Sequence, residues 1–134
     1  MKRLSILGST GSIGTQALET CEKNGWEIAA LAAGRNVRLA ETQARKFKPQ
    51  FVAMFDKAAA AELKIKLADT DIKVYSGEEG VIAAAESDCD TVLNSVVGIA
   101  GLRPTLAAIN KGTTVALANK ETLVTGGEIV NRRL

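Results

Sequence analysis

The sequence predicts an α/β domain built on a doubly wound, mostly parallel sheet. Short apolar runs alternate with stretches of helical periodicity along the whole chain. The composition is 46% hydrophobic with only 4% aromatic residues, so the apolar mass is Ala, Val, Leu and Ile, the residues of packed helices and buried parallel strands. The glycine-rich and polar loops follow the strand-like runs, where ligands sit in such sheets. At 134 residues the chain makes a single domain, able to bury about two thirds of its unfolded surface.

The first strand is the run holding Leu4, Ile6 and Leu7. Gly8-Ser9-Thr10-Gly11-Ser12-Ile13-Gly14 follows, and Ile13, Ala17, Leu18 and Cys21 then share one helical face. Asn24-Gly25 stops this helix, and Trp26 to Ala33 gives strand two. Asn36 is placed to cap a helix from Val37 to Phe47. Phe51 to Phe55 reads as strand three, Asp56 as the cap of an alanine-rich helix to about Ala68, and Val74-Tyr75 as a short fourth strand. Ser76 and Glu79 have the spacing of a capping box, opening a helix through Val81, Ile82 and Ala85. Thr91 to Val97 is an apolar strand broken only by Asn94 and Ser95. A helix with Pro104 in its first turn and Gly112 as its stop leads to a sixth strand, Thr113 to Ala118. Gly126-Gly127 weakens any helix in the closing segment and reads as a bend or the approach to a second domain. Right-handed crossovers between six such strands give the doubly wound arrangement.

Composition excludes several functions. The formal charge is +2 with acids and bases interspersed, and no basic stripe or aromatic platform marks a nucleic-acid surface. No apolar run approaches the roughly 20 residues that span a bilayer, and the N-terminus lacks a secretory core, so a soluble, cytoplasmic protein is expected. Cys21 and Cys89 form no metal-binding spacing and read as reduced thiols, Cys21 within the core. The absence of histidine removes the commonest general base and metal ligand.

Three loops carry the functional signal. A glycine turn between strand and helix lets backbone approach a phosphate closely, while the unpaired N–H groups and dipole of the helix N-terminus attract a pyrophosphate. The spacing here is GxxGxxG, so the alternative of a merely tight strand-to-helix turn stays open. Ser9, Thr10 and Ser12 add hydroxyls that favour binding. At the tip of strand two, where an acid would hydrogen-bond the ribose of NAD, the chain reads Ala33-Gly34-Arg35-Asn36. Arg35 is a charged fork suited to a 2′-phosphate, which predicts preference for NADP, or else it is an exposed loop charge. Asn119-Lys120-Glu121 puts an amide, an ammonium and a carboxylate after strand six; on residues alone it is either a ligand-facing cluster or a solvated helix start.

Taken together, Ile6 to Gly14, Ala32 to Asn36, Asn94-Ser95-Val96-Val97-Gly98, and Leu117 to Val124 resemble the amino-terminal domain of the 1-deoxy-D-xylulose 5-phosphate reductoisomerase family. The resemblance covers Leu4 to about Val130. It implies a Rossmann-like fold and an NADPH-dependent oxidoreductase of the non-mevalonate isoprenoid route, one that makes 2-C-methyl-D-erythritol 4-phosphate from its ketose phosphate with magnesium or manganese. It implies further that Thr10, Gly11, Ser12 and Ile13 line the cofactor pyrophosphate, that Gly34, Arg35 and Asn36 surround the 2′-phosphate, that Asn119 and Glu121 touch NADPH, and that Lys120 reaches the sugar phosphate.

Family members are usually homodimers, and their metal-binding acids, substrate-phosphate residues and histidines belong to a following region. Residues 1–134 are therefore expected to be the NADPH-binding domain without the catalytic and carboxy-terminal domains, holding no catalytic or metal-binding residue and binding NADPH without turnover. Two rivals are the cofactor domain of another NADP-dependent enzyme, such as a semialdehyde or homoserine dehydrogenase, and a stand-alone nucleotide-sensing module.

Overall fold

A computed structural model of the chain describes residues 2–96, 102–117, 122–125 and 128–131. Strands and helices alternate as β1 (Arg3–Leu7), α1 (Ser12–Asn24), β2 (Glu27–Ala33), α2 (Val37–Phe47), β3 (Phe51–Met54), α3 (Lys57–Lys66), β4 (Lys73–Ser76), α4 (Gly77–Ala85), β5 (Thr91–Asn94), α5 (Leu102–Lys111) and β6 (Thr114–Leu117). Two further strands follow, β7 (Thr122–Thr125) and β8 (Glu128–Asn131). All lie in one sheet of order β4-β3-β2-β1-β5-β6-β7-β8. The strands from β4 to β6 are parallel, while β7 and β8 pair antiparallel at one edge. Between β1 and β5 the strand order reverses, and such a switch point opens a ligand crevice at the carboxyl ends.

The period-2 alternation of β1 divides the core between two faces. Leu4 and Ile6 join Ile28, Leu31, Val52 and Met54 under α1, α2 and α3. Leu7 points the other way, to the cluster with Ala30, Ala32, Val81, Ala84 and Val92. Helices thus cover both faces, which is the doubly wound arrangement expected. In β2, Ile28 and Leu31 share a face although three residues apart, because the register with β1 skips Ala29 as a bulge. Ser5, also buried, donates its hydroxyl to Ala84 O at 2.8 Å and so fixes α4 on the sheet.

Most expected boundaries hold to within two residues, and four expectations are corrected. The six-strand count falls short by the β7–β8 pair, which occupies the closing segment. β5 ends at Asn94 rather than Val97 because the Asn94 side-chain carbonyl accepts the Val96 N–H at 2.9 Å, turning the chain out of the ladder. The capping box does not form: Ser76 makes no side-chain cap bond, and Gly77 beside it is left-handed (φ +73°), which breaks the direct step from extended cap to helix. Ile13 leaves the buried face of α1, standing 39% exposed while Gly14, Leu18 and Cys21 turn inward.

The other caps form as read. Asn36 Oδ1 accepts the Leu39 N–H at 3.1 Å and Asp56 Oδ2 the Ala59 N–H at 2.9 Å. Asn36→Ala is therefore expected to cost about 1 kcal/mol, or roughly 3–5 °C in Tm. Ser76→Ala, which removes no cap bond, should change stability by no more than a few tenths of a kcal/mol. Urea unfolding of the two variants beside the parent checks the contrast.

Both cysteines are free thiols. Burial pushes the pKa of each above the ordinary value, so they stay protonated at neutral pH, and Cys21 sits in the core as expected.

Candidate functional site

The glycine turn runs from the carboxyl end of β1 to the first turn of α1, beside the switch point. Gly8 adopts φ +85°, and a Cβ on it would lie 2.5 Å from Ser95 Oγ. That hydroxyl donates instead to Leu7 O at 2.7 Å, within 3.2 Å of Gly8 O, tying the β5 end to the β1 end. Gly8 N and Ser9 N both donate to Ala32 O, at 2.8 and 3.0 Å, and Gly11 N donates to Gly8 O at 3.1 Å. A Cβ on Gly14 would meet Gly8 O at 2.2 Å, so α1 enters closer to the turn than any other residue permits.

Gly8 and Gly14 are thus required by the chain itself. Gly11 and Gly34 are not: a Cβ on Gly11 meets nothing nearer than Gly8 O at 3.5 Å, and one on Gly34 meets nothing within 4 Å. Both are exposed, as are Ser12 and Ile13, with Thr10 partly so.

The start of α1 differs from those of the other helices whose N-caps are described. α2 and α3 have side-chain caps, and α4 has Glu78 and Glu79 in its first turn. α1 begins at Gly11 with no side-chain cap and no acid in its first turn. Its first N–H groups and positive dipole end are left to water or to an anion.

The second loop lies at the carboxyl end of β2. Phe55 N donates to Ala33 O and Asp56 N to Gly34 O, which fastens the loop to the start of α3, while Asn36 fixes the start of α2. Among the described residues the exposed Arg35 guanidinium makes no hydrogen bond or ion pair. Between the two loops opens an apolar cavity of about 220 Å³ lined by Gly8, Ala32, Ala33, Gly34, Phe55, Val81 and Val96. A larger groove of about 770 Å³, with Arg45, Lys48 and Tyr75 on its walls, lies at the amino ends of β3 and β4, the wrong end of a parallel sheet for a ligand crevice. There Asp69 is held below the usual carboxylate range by its hydrogen bonds with Arg45.

The structure thus brings Thr10 to Ile13 and Gly34 to Asn36 to the same edge of the sheet. Asn119, Lys120 and Glu121 lie outside the described residues, but the residues that would continue a helix from them, Thr122–Thr125, form β7 instead. Two contributors escaped the sequence reading of the site. Gln43 is a polar residue in phase with the buried Val37, Ala40 and Ala44 of α2, and Ser95 is a polar residue directly after the apolar strand β5; that misfit with the pattern was the available signal. Among the described residues no group of three or more His, Cys, Asp or Glu side chains could hold a metal ion, and no helix is long and apolar enough to cross a membrane.

Comparison with known proteins converges on one family. The family model described as 1-deoxy-D-xylulose 5-phosphate reductoisomerase matches residues 4–127. The reductoisomerase of Agathobacter rectalis is 54% identical over 132 residues, covering 97% of this chain and 35% of that protein. That of Desulfitobacterium hafniense is 52% identical over 133 residues, covering 97% and 35%. Among solved structures, the enzyme from Zymomonas mobilis in complex with NADPH superposes with a TM-score of 0.84 at 36% identity, over 90% of this chain and 32% of that one. A reductoisomerase in complex with NADPH, fosmidomycin and magnesium gives 0.83 at 37%, over 90% and 31%. The chain spans about a third of the length of these curated relatives. The same turn, loop and sheet order thus sit on matching sequence over nearly the whole chain, which sets aside a semialdehyde or homoserine dehydrogenase domain: the chain belongs to the 1-deoxy-D-xylulose 5-phosphate reductoisomerase family.

Proposed function

We propose that residues 1–134 form the NADPH-binding domain of a reductoisomerase that converts 1-deoxy-D-xylulose 5-phosphate to 2-C-methyl-D-erythritol 4-phosphate. The observation that carries this reading is the uncapped, acid-free start of α1 behind the glycine turn, set at the same sheet edge as Arg35, whose guanidinium has no partner among the described residues. Two bare glycines with no internal reason to be bare, Gly11 and Gly34, leave the backbone open on that side. Related enzymes have been solved with NADPH bound.

In this reading the N–H groups of Ser12 and Ile13, with the Thr10 hydroxyl, hold the pyrophosphate, and Gly11, whose own N–H is bonded to Gly8 O, lines it with bare backbone. Gly34, Arg35 and Asn36 surround the 2′-phosphate, with Arg35 as the charged partner and Asn36 fixing the loop it stands on. The apolar cavity beside Phe55 offers a dry wall for a planar heterocycle. Asn119 and Glu121 touch the cofactor, and Lys120 reaches the sugar phosphate. NADPH, when bound, supplies hydride. The divalent metal, the substrate-phosphate site and the homodimer contact are assigned to the two thirds of the relatives' length that this chain does not span. The chain by itself binds NADPH without turnover, and its setting is the cytoplasm.

Calorimetric titration with NADPH and with NADH, after circular dichroism has shown helix and strand, tests this directly. The expected result is saturable binding of one NADPH per chain, clearly tighter than NADH. A folded chain that takes up neither cofactor overturns the assignment of the turn.

A further inference from the structure

The carbonyl of Ser9, in the middle of the glycine turn, accepts a 2.8 Å hydrogen bond from Gln43 Nε2 on α2. Gln43 is only 5% exposed, and its other amide atom, Oε1, has no partner among the described residues. A buried, half-satisfied amide is a poor choice for packing. It leaves an acceptor desolvated, a cost that an apolar side chain of the same length avoids. Fold stability alone therefore does not account for a glutamine here; the bond to Ser9 does.

That bond ties the glycine turn itself to α2, whose later turn also meets α1 through the Lys46–Glu22 ion pair. α2 starts at Asn36, at the end of the Gly34-Arg35 loop, and Gln43 lies two turns along the same helix. Ser9 N is held by Ala32 O at the end of β2, and Ser9 O by Gln43. The turn is thus pinned to the strand before the second loop and to the helix after it.

We propose that Gln43 is a positioning residue for the cofactor: its buried amide sets the spacing between the pyrophosphate turn and the Arg35 loop, so that a ligand with phosphates at both places meets them as one preformed unit. This rests on the assignment of the two loops under Proposed function. A cofactor that occupies only the turn gains little from the spacing, whereas one that occupies both gains fully.

The test is titration of the folded chain with NADPH and NADH for the parent, Gln43→Met, Arg35→Ala and the double variant. Methionine keeps the length and removes the donor. The expected result is about a tenfold rise in the NADPH Kd for Gln43→Met, under about threefold for NADH, and little further loss when Arg35 is already alanine. Thermal melts run alongside. If the methionine variant does not fold, Gln43→Asn, which keeps the amide but cannot reach Ser9, is read by the same criteria. An NADPH Kd within twofold of the parent overturns the proposal, as does equal loss for both cofactors or an effect additive with Arg35→Ala. A parent chain that binds no NADPH overturns the assignment of the site itself, and this proposal with it.

Discussion

Gly14→Ala is expected to abolish NADPH binding and to lower Tm by roughly 5–10 °C. In an exposed helix the change is favourable, since alanine exceeds glycine by about 1 kcal/mol in helix propensity. Here the added Cβ falls 2.2 Å from Gly8 O, 2.8 Å from Ser9 Cα and 2.9 Å from Gly8 C. All three are backbone atoms, so no rotamer change relieves the clash, and the turn or the helix has to move. The turn resists on every side: Ala32 O holds Gly8 N and Ser9 N, Gln43 holds Ser9 O, and Ser95 lies against Gly8. Overpacking of this kind costs about 1–3 kcal/mol or somewhat more. Three backbone contacts under 3 Å put this site at the upper end of that range, so after the propensity gain a loss of about 2 kcal/mol remains, at roughly 3–5 °C per kcal/mol for a domain of this size.

Gly11→Ala and Gly34→Ala separate folding from binding. Neither Cβ meets a contact shorter than 3.5 Å, so both variants should melt within about 2 °C of the parent. Calorimetric melts and NADPH titrations of the three variants check the ranking, and a Gly14→Ala chain as stable as the parent would show that the close entry of α1 is not required.

What could be read from the sequence follows the strength of the local signals. α2 was legible to the residue because a cap, Asn36, precedes apolar positions at Val37, Ala40 and Ala44 in helical phase. β1 and the turn were legible because apolar run, glycines and helix come in an order that few other structures use. The bulge at Ala29 was not, since a run of alanines shows no alternation whose phase could visibly slip. The β7–β8 pair was missed although Thr122-Leu123-Val124-Thr125 and Glu128-Ile129-Val130-Asn131 flank two glycines, a hairpin spacing. Each strand has only four residues, and the preceding Asn119 resembled a helix cap.

In the candidate site, the exposed loop residues could be singled out in the sequence because their chemistry is unusual for a loop. Ile13 was assigned to the buried face because periodicity cannot mark where a helix face ends, and its 39% exposure came only with the fold. Gln43 and Ser95 were missed because they act on backbone atoms distant in sequence, Ser9 O by 34 positions and Leu7 O by 88.

Arg35→Ala is expected to raise the NADPH Kd by about 10- to 100-fold while leaving the NADH Kd and the Tm nearly unchanged. The guanidinium is exposed and has no partner among the described residues, so its loss removes nothing from the fold and stability should stay within about 0.5 kcal/mol. Against a 2′-phosphate the same group makes charge-assisted, bidentate hydrogen bonds worth about 1.5–3 kcal/mol, which sets the range. Arg35→Lys keeps the charge but not the planar fork, so its loss should fall between parent and alanine. The pH dependence follows the charge of the 2′-phosphate. A phosphate monoester loses its second proton at about pH 6, so the preference for NADP over NAD should be full above that value and shrink as pH falls through it. In Arg35→Ala that slope should flatten. Titrations with NADP and NAD between pH 5 and 8 at fixed ionic strength measure it, and a preference that is pH-independent in parent and variant alike would place the 2′-phosphate somewhere other than beside Arg35.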